Sequence, residues 1–502
     1  MTHRRPADAS PAGNGHTPET PDADARSHPG RGPLHGLALE PELPRPAHEP
    51  EIPLDRLDPD AVKTVSRLRH MGHQAYLVGG CVRDLLLGRT PKDFDIATSA
   101  HPGEVRAVFR NCRLIGRRFR LAHVYFRGGK VMEVATFRKN PVDVGEDVPQ
   151  DGDLLITRDN VFGTAEEDAV RRDFTVNGLF YDVFSGEVID YVGGRADLED
   201  RRIATIGDPE IRMREDPVRA LRAVRFASRL GFTIEPECFA AMRRHASELA
   251  RCAAPRLLEE VFKILRCGGS ARAFELLRSC GALPVVLPAL ATHLDAQGEE
   301  GRRRVQARLT ALDELVRSGA EVSDAVLLGA LLSHLAPGPG GGTQPVDELL
   351  QQLVATARLP RRVAERTRLA LGAQRSLREQ PRRRRRGLSH QAYFEDAVQL
   401  LEIGVRAGGE GAEELAHWRR EAEARGPEQA RETRDRETGD RETAPEVVHA
   451  SGPAAAPAEA DEPGEARRRR RHRGGRRRRR RGGGGAGGGG ERETPSVTVP
   501  AS

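Results

Sequence analysis

Nineteen residues, Leu77 to Asp95 (LVGGCVRDLLLGRTPKDFD), constrain this chain more than any other stretch. A short apolar strand, Ala75 to Val78, runs into Gly79-Gly80, and a helix carrying Arg83 and Asp84 follows. Nine residues after Asp84 comes Asp93-Phe94-Asp95, in a β-like stretch. Acids two positions apart on a strand point to the same face. A glycine pair ahead of a helix N-terminus lets backbone N–H groups come close to a phosphate. Neither element is diagnostic alone, since Gly-Gly is commonly a tight turn and Asp-x-Asp a solvated pair or a cap. Strand, Gly-Gly-x-x-Arg-Asp and Asp-x-Asp in quick succession are the parts of a metal-dependent nucleotidyl-transfer site.

At 502 residues the chain is too long for one ordinary domain. The formal charge of +6 conceals an asymmetry: twelve of the fifteen residues from Arg467 to Arg481 are arginine. Removing those twelve from 80 basic residues leaves 68 against 74 acidic, a net −6, so the basic character belongs to the tail. Six cysteines without a C-x-x-C pair read as reduced thiols, not as a disulfide framework or zinc site. No run approaches the ~20 apolar residues of a membrane span, and the N-terminus lacks a signal-peptide apolar region. A soluble, cytoplasmic protein is the expectation.

Residues 1–51 carry no apolar period and are expected to be disordered. Asp58-Pro59 opens a helix on which Ala61, Val65, Leu68 and Met71 recur at helical spacing. Strands are expected at Ala75–Val78, Phe94–Ala97, Ala122–Phe126 and Lys130–Thr136, with a helix at Val105–Phe109. This alternation predicts an α/β domain over 52–196. From about Asp197 the pattern turns helical and stays so: a first helical part over 197–270, a second over 271–425, with a flexible break at Pro337–Gly342. Residues 426–502, Arg/Gly-rich at their end, cannot bury a core and are expected to be disordered.

Nucleotidyl transfer needs a hydroxyl to attack an α-phosphorus while pyrophosphate leaves, work that two divalent ions support. Mg²⁺ is a hard ion that takes carboxylate and phosphate oxygens. Asp93 and Asp95 are the candidate ligands, and Arg83 is a candidate phosphate clamp. Glu133, in KVMEVAT, and Asp173, in RRDFTVN, compete for a supporting role; an ion pair such as Asp173–Arg172, or an N-cap, is the alternative. On a helix, Arg219, Arg222 and Arg225 share a face with Asp216. A carboxylate beside a guanidinium matches the hydrogen-bonding edge of adenine.

LVGGCVRD, DFD, EVATFR, RRDFTVNGL, DYVGGRADLED and REDPVRALRAVRFA follow one another in this order. The series resembles class II nucleotidyltransferases of the DNA polymerase β superfamily, the group that holds bacterial poly(A) polymerases and CCA-adding tRNA nucleotidyltransferases. The resemblance covers about Leu57 to Pro288. It implies an α/β nucleotidyltransferase head with a small mixed sheet, followed by an all-helical neck, body and tail. It further implies metal binding by Asp93 and Asp95 and a catalytic part for Asp173. Nucleotide contacts are implied at Gly80, Arg83, Arg172, Asp216, Arg219, Arg222 and Arg225, while the role of Glu133 stays open. Phe109 to Val124 resembles the flexible-loop region of bacterial poly(A) polymerases, where arginines suit an RNA path; His123 is assigned no role. The helical half holds no His-Asp phosphohydrolase motif, and the basic tail resembles the C-terminus of proteobacterial poly(A) polymerases. The implied activity is ATP-dependent, Mg²⁺-dependent addition of AMP to RNA 3′ ends, serving RNA processing and decay, with no DNA partner. CCA addition is the alternative, and a non-catalytic RNA-binding protein the alternative from another class.

Overall fold

The computed structural model describes residues 49–116, 121–139, 161–335, 344–378 and 387–423. Most of the expected N-terminal disorder, the break at Pro337–Gly342 and the Arg/Gly tail lie outside the described residues. Order starts slightly earlier than the sequence suggests: Glu51 accepts from the Val188 N–H at 2.8 Å and pairs with Arg195 at 2.7 Å.

Helix α1 (Pro59–His70) begins as its sequence dictates. The Asp58 carboxylate accepts from the Asp60 and Ala61 N–H groups, and Pro59 opens the first turn. Ala61, Val65 and Leu68 are buried; Met71 lies past the helix end and is exposed. Seven strands form one sheet: β1 (Ala75–Val78), β2 (Asp95–Thr98), β3 (Cys112–Ile115), β4 (Leu121–Tyr125), β5 (Val131–Thr136), β6 (Leu179–Asp182) and β7 (Glu187–Asp190). Their order is β3-β4-β5-β2-β1-β6-β7. Only β2 and β5 run parallel, so the sheet is mixed. Four of these strands were expected; β3, β6 and β7 were not.

The two sheet faces differ. Leu77, Ile96, Val124, Val134 and Leu179 pack with α1, α2 (Gly80–Leu86) and α3 (Pro102–Val108) in the main core. On the opposite face Tyr76, Val78, Ala97, Phe137 and Phe180 meet Ala165 and Ala169 of α4 (Ala165–Val170). This second cover reaches only part of the sheet, and the remainder holds the polar side chains described below.

After α5 (Gly194–Glu199) the chain is mostly helical, although not as early as expected. β8 (Arg202–Ile203) pairs in parallel with β9 (Thr233–Ile234), tying the first helices to the end of the head. Between them run α6 (Pro209–Glu215) and α7 (Arg219–Leu230). Then come α8 (Pro236–Arg244), α9 (Ala254–Leu265), α10 (Ser270–Ser279), α11 (Leu283–Val286) and α12 (Pro288–Arg317), the last bent at Gly298. They are followed by α13 (Asp324–Leu332), α14 (Gln344–Ala357), α15 (Arg361–Arg378) and α16 (Phe394–Arg406). Helix α7 buries Leu221, Ala223, Val224 and Ala227 fully; Leu221 and Val224 each stabilise by roughly 1.5–3 kcal/mol. The rigidity so gained fixes where its arginines end. All six cysteines are free, as expected.

Candidate active site

The β1–α2 turn requires glycine. Gly79 has φ of +75°, and a Cβ there would come within 3.0 Å of Arg172 Nη1. Arg172, just beyond α4, is held in place on three sides. Its guanidinium donates to Asp168 at 2.9 and 3.2 Å, reaches the Asn177 carbonyl at 3.5 Å and lies over the Phe180 ring at 5.1 Å. Arg172 thus stands between the glycine turn and Asp95, whose carboxyl feels its charge.

Asp95 is the first residue of β2, and its parallel partner on β5 is Glu133. Asp93 lies just before the strand. Asp95 is exposed to solvent. Protein mass around it, then Glu133 and Asp93, push its carboxyl up to about 6, against the pull of Arg172. Burial and Asp93 also raise the Glu133 carboxyl. Three hard oxygen donors therefore share a patch whose negative charge the protein leaves largely uncompensated, and this donor set fits a divalent cation such as Mg²⁺. Among the described residues no three His, Cys, Asp or Glu side chains converge tightly enough to enclose an ion. An ion held here would take part of its coordination from oxygens other than these side chains, as Mg²⁺ sites commonly arrange it. Beside Asp95, burial pushes the Cys81 thiol up to about 12, so it packs as a protonated group.

Asp173 sits elsewhere. Arg222 of α7 donates to its Oδ2 at 2.8 and 2.6 Å, and Asn177 and the Phe174 N–H donate to Oδ1 at 3.1 and 2.9 Å. Burial alone would raise this carboxyl; Arg222 and these donors override it and hold it down at about 2. The acids that load Asp95 are Glu133 and Asp93, not Asp173, and in place of the alternative Asp173–Arg172 ion pair the structure has Asp173–Arg222 and Arg172–Asp168. Arg83 is also not on an open surface. It is 1% exposed, with its guanidinium on Asp84 at 2.9 and 2.6 Å and on Asn177, over the Phe226 ring at 5.3 Å. Asp84 in turn receives Arg229 of α7 at 2.9 Å. Arg83 therefore braces the head against α7 in this state.

The expected arginine face is divided. Asp216 is not on α7 at all; it ends α6, caps the Val218 N–H and is gripped by both Nη atoms of Arg256 at 2.8 and 2.6 Å. Arg219 is buried against Glu215 and the Arg212 carbonyl, each at 2.8 Å. Arg225 donates to Glu260 at 3.0 Å and lies over Phe226 at 4.3 Å. Glu260, on α9, also faces Arg222 at 4.0 Å. Glu260 and Arg256 were missed in the sequence. Their spacing of four along an amphipathic helix was the available signal, but nothing local named their partners.

The chain matches the family model described as the poly A polymerase head domain over residues 75–204. It also matches the one described as the probable RNA and SrmB- binding site of polymerase A over 231–294. It is 38% identical over 405 residues to poly(A) polymerase I of Salmonella typhi, covering 77% of this chain and 86% of that one. It is 40% identical over 248 residues to the CCA-adding enzyme of Geobacillus stearothermophilus, covering 49% and 57%. The solved structure of the Bacillus stearothermophilus CCA-adding enzyme in complex with CTP superposes with a TM-score of 0.55 at 29% identity, over 72% of this chain and 82% of that one. With its mixed-sheet head and helical remainder, the chain belongs to the poly(A) polymerase family and is an RNA nucleotidyltransferase.

Proposed function

We propose that this protein is a polynucleotide adenylyltransferase: it adds AMP from ATP to RNA 3′ ends, without a template, and releases pyrophosphate. The observation that carries the reading is the patch of Asp93, Asp95 and Glu133 beside the Gly79 turn and Arg172. Asp93 and Asp95 would hold divalent ions, Mg²⁺ by the hardness of the donors. When bound, such ions neutralise the triphosphate and lower the pKa of the attacking hydroxyl. Arg172 and the backbone at Gly80 bind the triphosphate. Asp173 fixes Arg222, and Glu260 backs both Arg222 and Arg225. Of Asp216, Arg219, Arg222 and Arg225, Arg222 and Asp216 have the most accessible side chains, 33% and 19% exposed, and they contact the base and ribose. Arg83 and Arg219 act from behind, bracing α2 and α6.

ATP as the nucleotide follows from the extent of the likeness to poly(A) polymerase I, which spans the helical body as well as the head. A role in RNA processing and decay in the cytoplasm fits an enzyme acting on many 3′ ends, as does the arginine-rich tail, which adds sequence-independent phosphate contacts. CCA addition is the second reading, favoured by the likeness to the CTP-bound enzyme. Nucleotide incorporation with Mg²⁺ decides between them. One RNA is unstructured and given ATP; the other is a tRNA lacking its CCA end, given CTP and ATP. Long A tails on the first with little CTP use on the second are expected. Addition that stops after C, C and A overturns the reading. Asp95→Ala should abolish incorporation while RNA binding stays nearly intact.

A further inference from the structure

The sheet register aligns more than the carboxylates. Asp95 pairs with Glu133, Glu133 with His123 on β4, and His123 with Arg113 on the edge strand β3. Residues paired directly across strands share a face, so one row runs from the carboxylate patch to the sheet edge. The two strand steps from β5 to β3 span about 10 Å. Tyr125, two residues along β4 from His123, lies on the same face. Arg113 extends over the Tyr125 ring at 5.7 Å, and the His123 and Tyr125 ring centres are 6.5 Å apart. His123 Nε2 is 3.6 Å from Glu133 Oε1. Arg113 is exposed, and His123 and Tyr125 are half-buried. The apolar cover from α4 falls on the other part of this face, on residues of β1, β2 and β6.

We propose that this row seats the RNA strand whose 3′ end reacts, with the terminal hydroxyl at the carboxylates, the preceding bases stacked on His123 and Tyr125, and the backbone drawn to Arg113. The inference rests on the nucleotidyl-transfer reading above and extends it by naming the RNA subsite. The occupant follows from continuity: a strand ending at Asp93 and Asp95 must leave across an adjoining surface. On the α7 side the near surface is filled by Asp173, Arg222 and Glu260 pairing with one another. On the β4–β3 side two aromatic rings lie beside an exposed arginine, and aromatic platforms with a cation for the backbone are the means by which single-stranded nucleic acid is held without regard to sequence.

The test measures KM for an unstructured RNA and for ATP separately, on the full chain and three variants. Tyr125→Ala should raise KM for RNA roughly five- to a hundredfold, the loss of one stacked base, with KM for ATP unchanged. Tyr125→Phe should retain the low KM, which a merely structural loss of the hydroxyl would not. Arg113→Ala, at an exposed site, should flatten the slope of log affinity against log salt by about 0.7. RNA carrying 4-thiouridine next to its 3′ end should photocrosslink to β4. Unchanged KM for RNA in both alanine variants of an active enzyme, or crosslinks confined to the helical half, would overturn the proposal. No incorporation by the unaltered chain would overturn the nucleotidyl-transfer reading and this one with it.

Discussion

Asp173→Asn tests whether the head and α7 are joined by charge. The substitution keeps the shape of the side chain and the acceptor for the Phe174 N–H but removes the negative charge that receives Arg222 at 2.6 Å. A carboxyl held at about 2 in the fold, against 3.8 unperturbed, stabilises the folded chain by about 2 kcal/mol at neutral pH. Breaking a buried pair costs about 3–5 kcal/mol. Glu260 still faces Arg222 at 4.0 Å and a third of the Arg222 side chain is solvated, so the lower end applies. The expected loss is therefore about 2–3 kcal/mol. The sign also fixes a pH window. A depressed carboxyl stabilises above its unfolded pKa, and that stabilisation disappears as pH falls through 3.8 towards 2, so the two proteins should converge there. Urea unfolding followed by Trp418 measures this. It is the only tryptophan, is 3% exposed and donates to the Leu377 carbonyl at 2.9 Å, far along the chain from the substitution. A variant within 0.5 kcal/mol of the parent at pH 7 would refute the reasoning, because Arg222 would then be equally well placed without Asp173.

Gly79→Ala should cost about 1–3 kcal/mol for the φ of +75° and raise KM for ATP by displacing Arg172; wild-type stability and KM together would contradict the role given to this turn. His334, pushed down to about 3 by burial and then by Arg308 and His293, has both ring nitrogens buried and unpartnered. Its folded pKa lies below its unfolded one, so protonation of the unfolded chain should erode stability as pH falls below 6.5, by about 1.4 kcal/mol per unit. His334→Phe should remove that slope, and an unchanged slope between pH 6 and 5 would assign it to other groups.

The β1–Gly79–α2–β2 segment was legible because each element is local: a four-residue apolar strand, a glycine at positive φ, and a helix and strand of matching pattern. β6 was not, since Leu179, Phe180, Tyr181 and Asp182 are all buried and a strand covered on both faces shows no alternation. Pairings failed for a different reason. Arg172 and Asp173 are adjacent, and adjacent side chains diverge; Arg172 turns back to Asp168, four residues earlier, while Asp173 finds Arg222, 49 residues on. Arg83 read as a phosphate clamp, and a helix of seven residues gave no local sign that α7 would bury it.

The arginine row carries the same lesson into the chemistry. At 3.6 residues per turn, each step of three falls about 60° short of a full rotation. Arg219, Arg222 and Arg225 therefore fan over roughly 120° of the α7 surface. The sequence places them on one face, which is true of neighbours but not of the ends. The fold uses the fan: each arginine meets a different acid, Glu215 on α6, Asp173 on the head and Glu260 on α9. Three separate elements are thereby fixed to one helix. Arg222, in the middle of the fan, is the one left between two acids with a third of its side chain in solvent, and a base brought to it meets a guanidinium whose position is already set from both sides.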